Sequence, residues 1–217
     1  LCAAVTPRTR VVLICNPNNP TGTALSPAEL DALLDALPAR VLVVLDEAYC
    51  DYSGDAKSVA ASPAARLARH GNLVILRTFS KAWGLAGLRL GYAIAAPRIV
   101  AAINAAAPPF PLPGVALAAG IAALADEDAV AARVARNATE RARLSDGLAK
   151  AGLPVARSAA NFVWLPVGEK AEALTARLRA ESIAARCFAG EGIRITTGTP
   201  ADTDAVLEAA AHWRPND

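Results

Sequence analysis

The stretch Thr78-Phe79-Ser80-Lys81-Ala82-Trp83-Gly84-Leu85-Ala86-Gly87-Leu88-Arg89 holds the side chains best suited to chemistry. One lysine stands beside two hydroxyl residues, with glycines after it and an arginine at the far end. A lysine amine can condense with an aldehyde, and hydroxyls with a guanidinium can grip a phosphate. The residues therefore suit a phosphorylated aldehyde cofactor. Lysines are scarce: only Lys57, Lys81, Lys150 and Lys170 occur.

Two further polar segments follow apolar runs in the same manner. After Val11–Cys15 comes Asn16-Pro17-Asn18-Asn19-Pro20-Thr21-Gly22, and after Val41–Leu45 comes Asp46-Glu47-Ala48-Tyr49. The lysine segment itself follows Leu73–Leu76 and Arg77. Taken singly, these read equally well as a rigid turn, a helix-capping aspartate and a solvated lysine. Parallel sheets, however, bind ligands beyond the carboxyl ends of their strands. The ordered set predicts three turns converging on one sheet edge.

The elements that must position them are legible from pattern. Four short apolar runs mark the first half: Val11–Cys15, Val41–Leu45, Leu73–Leu76 and Leu90–Ala95. The first three lack alternation, which predicts strands buried on both faces. Between the first two, Ser26, Pro27 and Glu29 form a helix start with a capping box, and Pro38 helps end that helix. This β-α-β pattern predicts an α/β domain with a mainly parallel sheet. Pro108, Pro109, Pro111 and Pro113 then mark a hinge. The expected division is a partial large domain over 1–114, and an interdomain helix with a small α+β domain over 115–217. The second part reads as a helical region over 115–150 with a break at Asp126–Asp128, stopped by Gly152 and Pro154. A strand near 161–166, a helix near 170–184, a strand at Ile193–Thr197 and a last helix capped by Thr199 to Asp202 complete it.

Composition narrows the function classes. The 217 residues carry a net charge of +2, with 54% apolar and 19% charged residues, which gives no electrostatic case for nucleic acid. No apolar run reaches the roughly 18 to 20 residues of a membrane helix. Cys2, Cys15, Cys50 and Cys187 form no Cys-x-x-Cys pair and have no histidine at metal-ligand spacing, so no metal is expected. Cys15 and Cys50 read as buried free thiols, in keeping with a reducing cytoplasm.

The set Asn-Pro-Asn-Asn-Pro-Thr-Gly, Asp-Glu-Ala-Tyr and Ser-Lys-Ala-x-Gly-Leu-Ala-Gly-Leu-Arg-x-Gly-Tyr resembles the fold-type I pyridoxal-phosphate enzymes of aminotransferase class I/II, most of all the histidinol-phosphate aminotransferase branch. Gly190-Glu191-Gly192-Ile193-Arg194-Ile195-Thr196 extends the resemblance to the end of the chain. The resemblance implies that Lys81 bonds the cofactor aldehyde and then moves the proton at Cα. It implies that Asp46 faces the pyridine nitrogen and keeps it protonated, and that Tyr49 and Asn19 bond the ring's 3′ oxygen. Thr78, Ser80 and Arg89 would hold the phosphate, and Arg194 the substrate carboxylate, with Asn161 and Arg186 near the substrate. It further implies a cytoplasmic homodimer that moves an amino group from an amino acid or an amino-alcohol phosphate, such as histidinol phosphate, to a 2-oxo acid such as 2-oxoglutarate; aromatic amino acids are the next donors to test.

Threonine-phosphate decarboxylase of cobalamin synthesis shares these motifs, so a lyase is the alternative. The chain has no methionine and opens on Leu1, whereas the family's members begin well before that point. The expectation is a segment of a longer protein, lacking the N-terminal arm, the first strands, a glycine-led phosphate-binding helix start and a ring-stacking aromatic. A truncated homologue that keeps the fold without the chemistry is the third reading.

Overall fold

A computed structural model of the chain describes residues 1–54, 56–211 and 213, with the backbone alone for 56–62. The chain divides into two compact units, one made of 1–17 and 24–131, the other of 18–23 and 132 onward.

The first unit is built on a four-stranded sheet. Strands β1 (Val11–Cys15), β2 (Leu42–Asp46) and β3 (Leu73–Thr78) are parallel neighbours, and β4 (Gly91–Ala95) closes the order β1-β2-β3-β4 antiparallel to β3. Parallel neighbours need crossovers, and helices α1 (Pro27–Ala36) and α2 (Ala56–Arg69) supply them. The capping box at the start of α1 is present as expected: the Glu29 N–H donates to Ser26 Oγ, and the Ser26 N–H donates to Glu29 Oε2 at 2.8 Å. Leu30, Leu34 and Leu37 pack with Val12, Ile14, Val43, Leu45, Leu73 and Ile75 into one core.

The first strand departs from the sequence expectation of burial on both faces. Val12 and Ile14 are buried against α1, whereas Val11 is 49% and Leu13 74% exposed on the opposite face. A strand at the edge of this sheet with one covered face alternates in exposure even when its sequence does not. Helix α3 (Pro97–Ala106) follows β4, and α4 (Gly114–Leu124) buries only Ala116 and Gly120, with Val115, Leu117, Ile121 and Leu124 exposed.

Helix α5 (Glu127–Lys150) leads into the second unit. The break expected at Asp126–Asp128 separates it from α4. It ends in a Schellman turn: Gly152, at φ +83°, lies in the left-handed region, with Leu153 N–H donating to Leu148 O at 3.1 Å and Gly152 N–H to Ala149 O at 3.0 Å. Strand β5 (Phe162–Leu165), helix α6 (Ala171–Ala180), strands β6 (Arg186–Phe188) and β7 (Gly192–Thr196) and helix α7 (Pro200–Ala211) follow. Their antiparallel sheet has the order β5-β7-β6. Leu144 and Leu148 of α5 are 1% exposed and pack with Val163, Leu165, Leu174, Ile193 and Val206. Each such side chain contributes roughly 1.5–3 kcal/mol on burial. No helix among the described residues is long and apolar enough to cross a membrane.

Candidate active site

The parallel pairing aligns the carboxyl ends of β1, β2 and β3. Cys15 lies opposite Asp46, and Asp46 opposite Leu76, so the turns after these strands leave from one edge. Asn16 N–H donates to Asp46 O at 2.9 Å, which ties the first turn to the second strand.

At the end of β2, Asp46 accepts the Ala48 N–H on Oδ1 at 2.9 Å, which leaves its second oxygen to a ligand. Tyr49, three residues on, is buried. The Lys81 amine lies 5.4 Å from the centroid of the Tyr49 ring, within cation–π range. The lysine turn is held by its own backbone: Ser80 N–H donates to Thr78 Oγ1 at 3.0 Å, Gly84 N–H to Lys81 O at 3.0 Å and Leu85 N–H to Phe79 O at 2.9 Å. Phe79 anchors the turn from below, against Trp83 and Tyr92 at centroid distances of 5.4 and 5.9 Å. Arg89 sits at φ +54° and ψ +39°, a left-handed conformation that costs a residue with a Cβ on the order of 1–3 kcal/mol. Its Nη1 donates to Ala86 O at 2.9 Å.

Asp46, Thr78, Ser80, Lys81 and Arg89 line one cavity of about 560 Å³, with Arg77 and Tyr92 also in its wall. The donor set matches pyridoxal phosphate part by part: an amine for the aldehyde, a carboxylate for the ring nitrogen, and hydroxyls with a guanidinium for the phosphate. Among the described residues no group of three or more His, Cys, Asp or Glu side chains could hold a metal ion.

A second group of site residues belongs to the other unit. The turn over 18–23 folds with it: Ala159 N–H donates to Gly22 O at 2.8 Å. Gly22 lies at φ +73°, and a Cβ there would overlap the Ser158 side chain, so both the backbone and the space require glycine. Within this unit Arg194 Nη1 donates to Asn19 Oδ1 at 2.6 Å, and the guanidinium lies 5.2 Å from the Phe162 ring centroid. Its Nε is buried with no hydrogen-bond partner among the described residues. Arg186 on β6 is the register partner of Arg194 on β7, and its guanidinium lies 6.0 Å from the Phe188 ring centroid. Asn161 precedes β5, and its carbonyl accepts the Thr197 N–H at 2.9 Å.

Glu47 and Arg77, to which the sequence gives no role, form a buried ion pair beside the cavity. The signal was visible as two charged residues placed at the ends of apolar strands. Burial pushes the nearby Cys50 thiol up to about 12, and burial also raises Asp51. Burial acts to lower the Arg77 guanidinium, but Cys50 and Glu47 raise it by more.

The chain is similar to known proteins along its length. Residues 1–210 match the family model described as aminotransferase class I and II. An aromatic amino acid aminotransferase of Mycolicibacterium smegmatis is 45% identical over 213 residues, which is 98% of this chain and 58% of that protein. A crystal structure of histidinol-phosphate aminotransferase from Sinorhizobium meliloti in complex with pyridoxal-5′-phosphate superposes with a TM-score of 0.83 at 34% identity, over 93% of this chain and 56% of that one. The L-threonine-O-3-phosphate decarboxylase of Porphyromonas gingivalis gives a TM-score of 0.78 at 25% identity, over 92% of this chain and 63% of that one. The chain thus spans about 58% of the length of that curated relative. With a lysine turn, a strand-end aspartate, two hydroxyls and an arginine lining one cavity, and with this match along its length, the chain belongs to the class I and II aminotransferases, a family of pyridoxal-phosphate-dependent enzymes.

Proposed function

We propose that this chain carries the cofactor-holding and carboxylate-binding parts of a pyridoxal-phosphate-dependent aminotransferase. The reaction passes an amino group from an L-amino acid to a 2-oxo acid such as 2-oxoglutarate. The observation that carries the reading is that Lys81, Asp46, Thr78, Ser80 and Arg89 line one and the same cavity. When bound, pyridoxal phosphate supplies the aldehyde that takes up the amino group and the ring that withdraws electrons from Cα. Lys81 Nζ would hold that aldehyde and would carry the proton at the substrate Cα. The second oxygen of Asp46 would face the ring nitrogen and favour its protonated form. Thr78 and Ser80 orient the phosphate while Arg89 meets its charge. Tyr49 would hydrogen-bond the ring's 3′ oxygen.

Arg194 binds the substrate carboxylate. Its buried Nε, which has no hydrogen-bond partner among the described residues, and its like-charged neighbour Arg186 both favour an anion at this place. Asn161 assists on the same side. An aromatic amino acid is the first donor, because the relative at 45% identity bears that name. Histidinol phosphate is the second, supported by the likeness to the Sinorhizobium meliloti enzyme. The exposed apolar side chains of α4 support a working unit in which a second copy covers them.

The test is an assay with phenylalanine, tyrosine, histidinol phosphate and threonine phosphate, each with and without 2-oxoglutarate. Glutamate formed from tyrosine or phenylalanine supports the reading, and faster turnover of histidinol phosphate moves the substrate to the second donor. CO2 released from threonine phosphate, with no dependence on 2-oxoglutarate, sinks the aminotransferase reading in favour of the lyase.

A further inference from the structure

The Glu47–Arg77 pair has no part in holding cofactor or substrate as assigned above. Glu47 is 6% exposed and the Arg77 side chain 17%. Arg77 Nε and Nη2 both reach Glu47 Oε2, at 2.8 and 2.7 Å. The pair links the residue directly after Asp46 to the residue directly before Thr78. Backbone bonds fasten the same spot: Glu47 N–H donates to Leu76 O at 2.9 Å, and Cys50 N–H to Glu47 O at 3.1 Å. Arg77 is also the register partner of Tyr92 on β4 and part of the cavity wall.

Stability alone is a poor reason for such a pair. Two desolvated charges recover their hydration cost only with good geometry, and apolar residues of similar volume commonly do as well or better. A pair of this kind does fix geometry and charge. On one side of it lie Asp46 and Tyr49, on the other Thr78, Ser80 and Lys81. A small displacement between those two groups would misplace the carboxylate relative to the amine. A guanidinium released from Glu47, in the same cavity wall as Asp46, would compete for the oxygen that the ring nitrogen needs.

We propose that Glu47 and Arg77 are positioning residues: their ion pair locks the carboxyl end of β2 to that of β3, sets the spacing of Asp46 and Tyr49 from Lys81, and keeps the Arg77 guanidinium off the Asp46 carboxylate. This rests on the roles given to Lys81 and Asp46 under the proposed function. The pair binds neither substrate nor cofactor, so its loss lowers turnover without weakening donor binding.

The experiment compares wild type, the apolar double variant Glu47→Leu/Arg77→Met, and Glu47→Gln. Four properties are read: thermal midpoint, the pyridoxyl group fixed on Lys81 by borohydride, the circular dichroism band of the bound cofactor, and kcat with KM. The double variant removes both charges of the pair, while Asp51 loses the Arg77 charge that favours its ionised form, so it is expected to stay folded with only a modest change in melting temperature. Its kcat is expected to fall about tenfold or more at a KM within about twofold of wild type, with a weakened or displaced dichroism band. Wild-type kcat and band in a folded double variant would make the pair merely structural and overturn the proposal. Should the double variant fail to fold, Glu47→Gln, which keeps the shape and one acceptor, decides by the same two readings. A wild-type chain that fixes no pyridoxyl group sinks the aminotransferase reading and this inference with it. A wild-type adduct alongside unaffected variants sinks this inference alone.

Discussion

The two sheets place their candidate site residues in different ways. At the edge of the first sheet they sit on turns that leave the strand ends, so Asp46, Tyr49, Thr78, Ser80 and Lys81 each follow or end an apolar run. In the second sheet the arginines lie within strands, Arg194 on β7 and Arg186 beside it on β6, above a core drawn from α5, α6 and α7. Turns can change residue by residue without disturbing packing, whereas a strand residue is fixed by alternation and register. The first region should therefore lose chemistry on mutation while keeping its fold, and the second should show both kinds of loss.

The largest expected effect separates them at once. Lys81→Ala should reduce turnover by at least about a thousandfold and change the thermal midpoint little, since the amine's one ring contact, with Tyr49 at 5.4 Å, is a single cation–π pair. A variant with substantial turnover would break the contrast. Next, Leu148→Ala in the second core should cost about 2–5 kcal/mol in denaturant unfolding. The same measurement on Leu13→Ala should stay within about 0.5 kcal/mol, because that side chain is 74% exposed. Equal losses at the two sites would contradict the alternation seen in β1. Arg194→Leu should raise KM for the amino donor by about 10–100-fold, the worth of charge-assisted hydrogen bonds, with a smaller change in kcat. A pure kcat effect would move Arg194 out of the carboxylate role.

The smallest effect concerns pH. Burial raises the Asp51 carboxyl, so the folded chain disfavours its charged form. That contribution to stability is fully present below the ordinary carboxylate range and is lost as pH rises through the raised value. Asp51→Asn should accordingly be modestly more stable than wild type at pH 7 and show no gain at pH 3, by denaturant unfolding at both. A variant less stable at pH 7 would reverse the sign.

Local signals were the most legible. The Ser26–Glu29 box and its counterpart at Thr199–Asp202 depend on hydrogen bonds three residues apart, and both are present. The Gly152 stop is equally local. Strand β1 has the predicted ends, but its burial does not follow from its apolar sequence, because which face is covered is a property of the sheet. Helix α3 carries no buried residue and so has no core-facing stripe to read, and β6 is only three residues long. Long-range partners were the least legible. Arg77 meets Glu47 across 30 positions, and Arg194 meets Asn19 across 175. Each residue stands out in its own segment, but only strand register or tertiary folding brings the partners together.

The central claim is that the Lys81 amine is the covalent seat of a phosphorylated aldehyde. Incubation of the protein with pyridoxal phosphate, borohydride reduction and peptide mapping by mass tests it most directly. The account predicts one pyridoxyl group, on the peptide that contains Lys81, and its loss in Lys81→Ala. Absence of any adduct, or adducts confined to Lys57, Lys150 or Lys170, would contradict it.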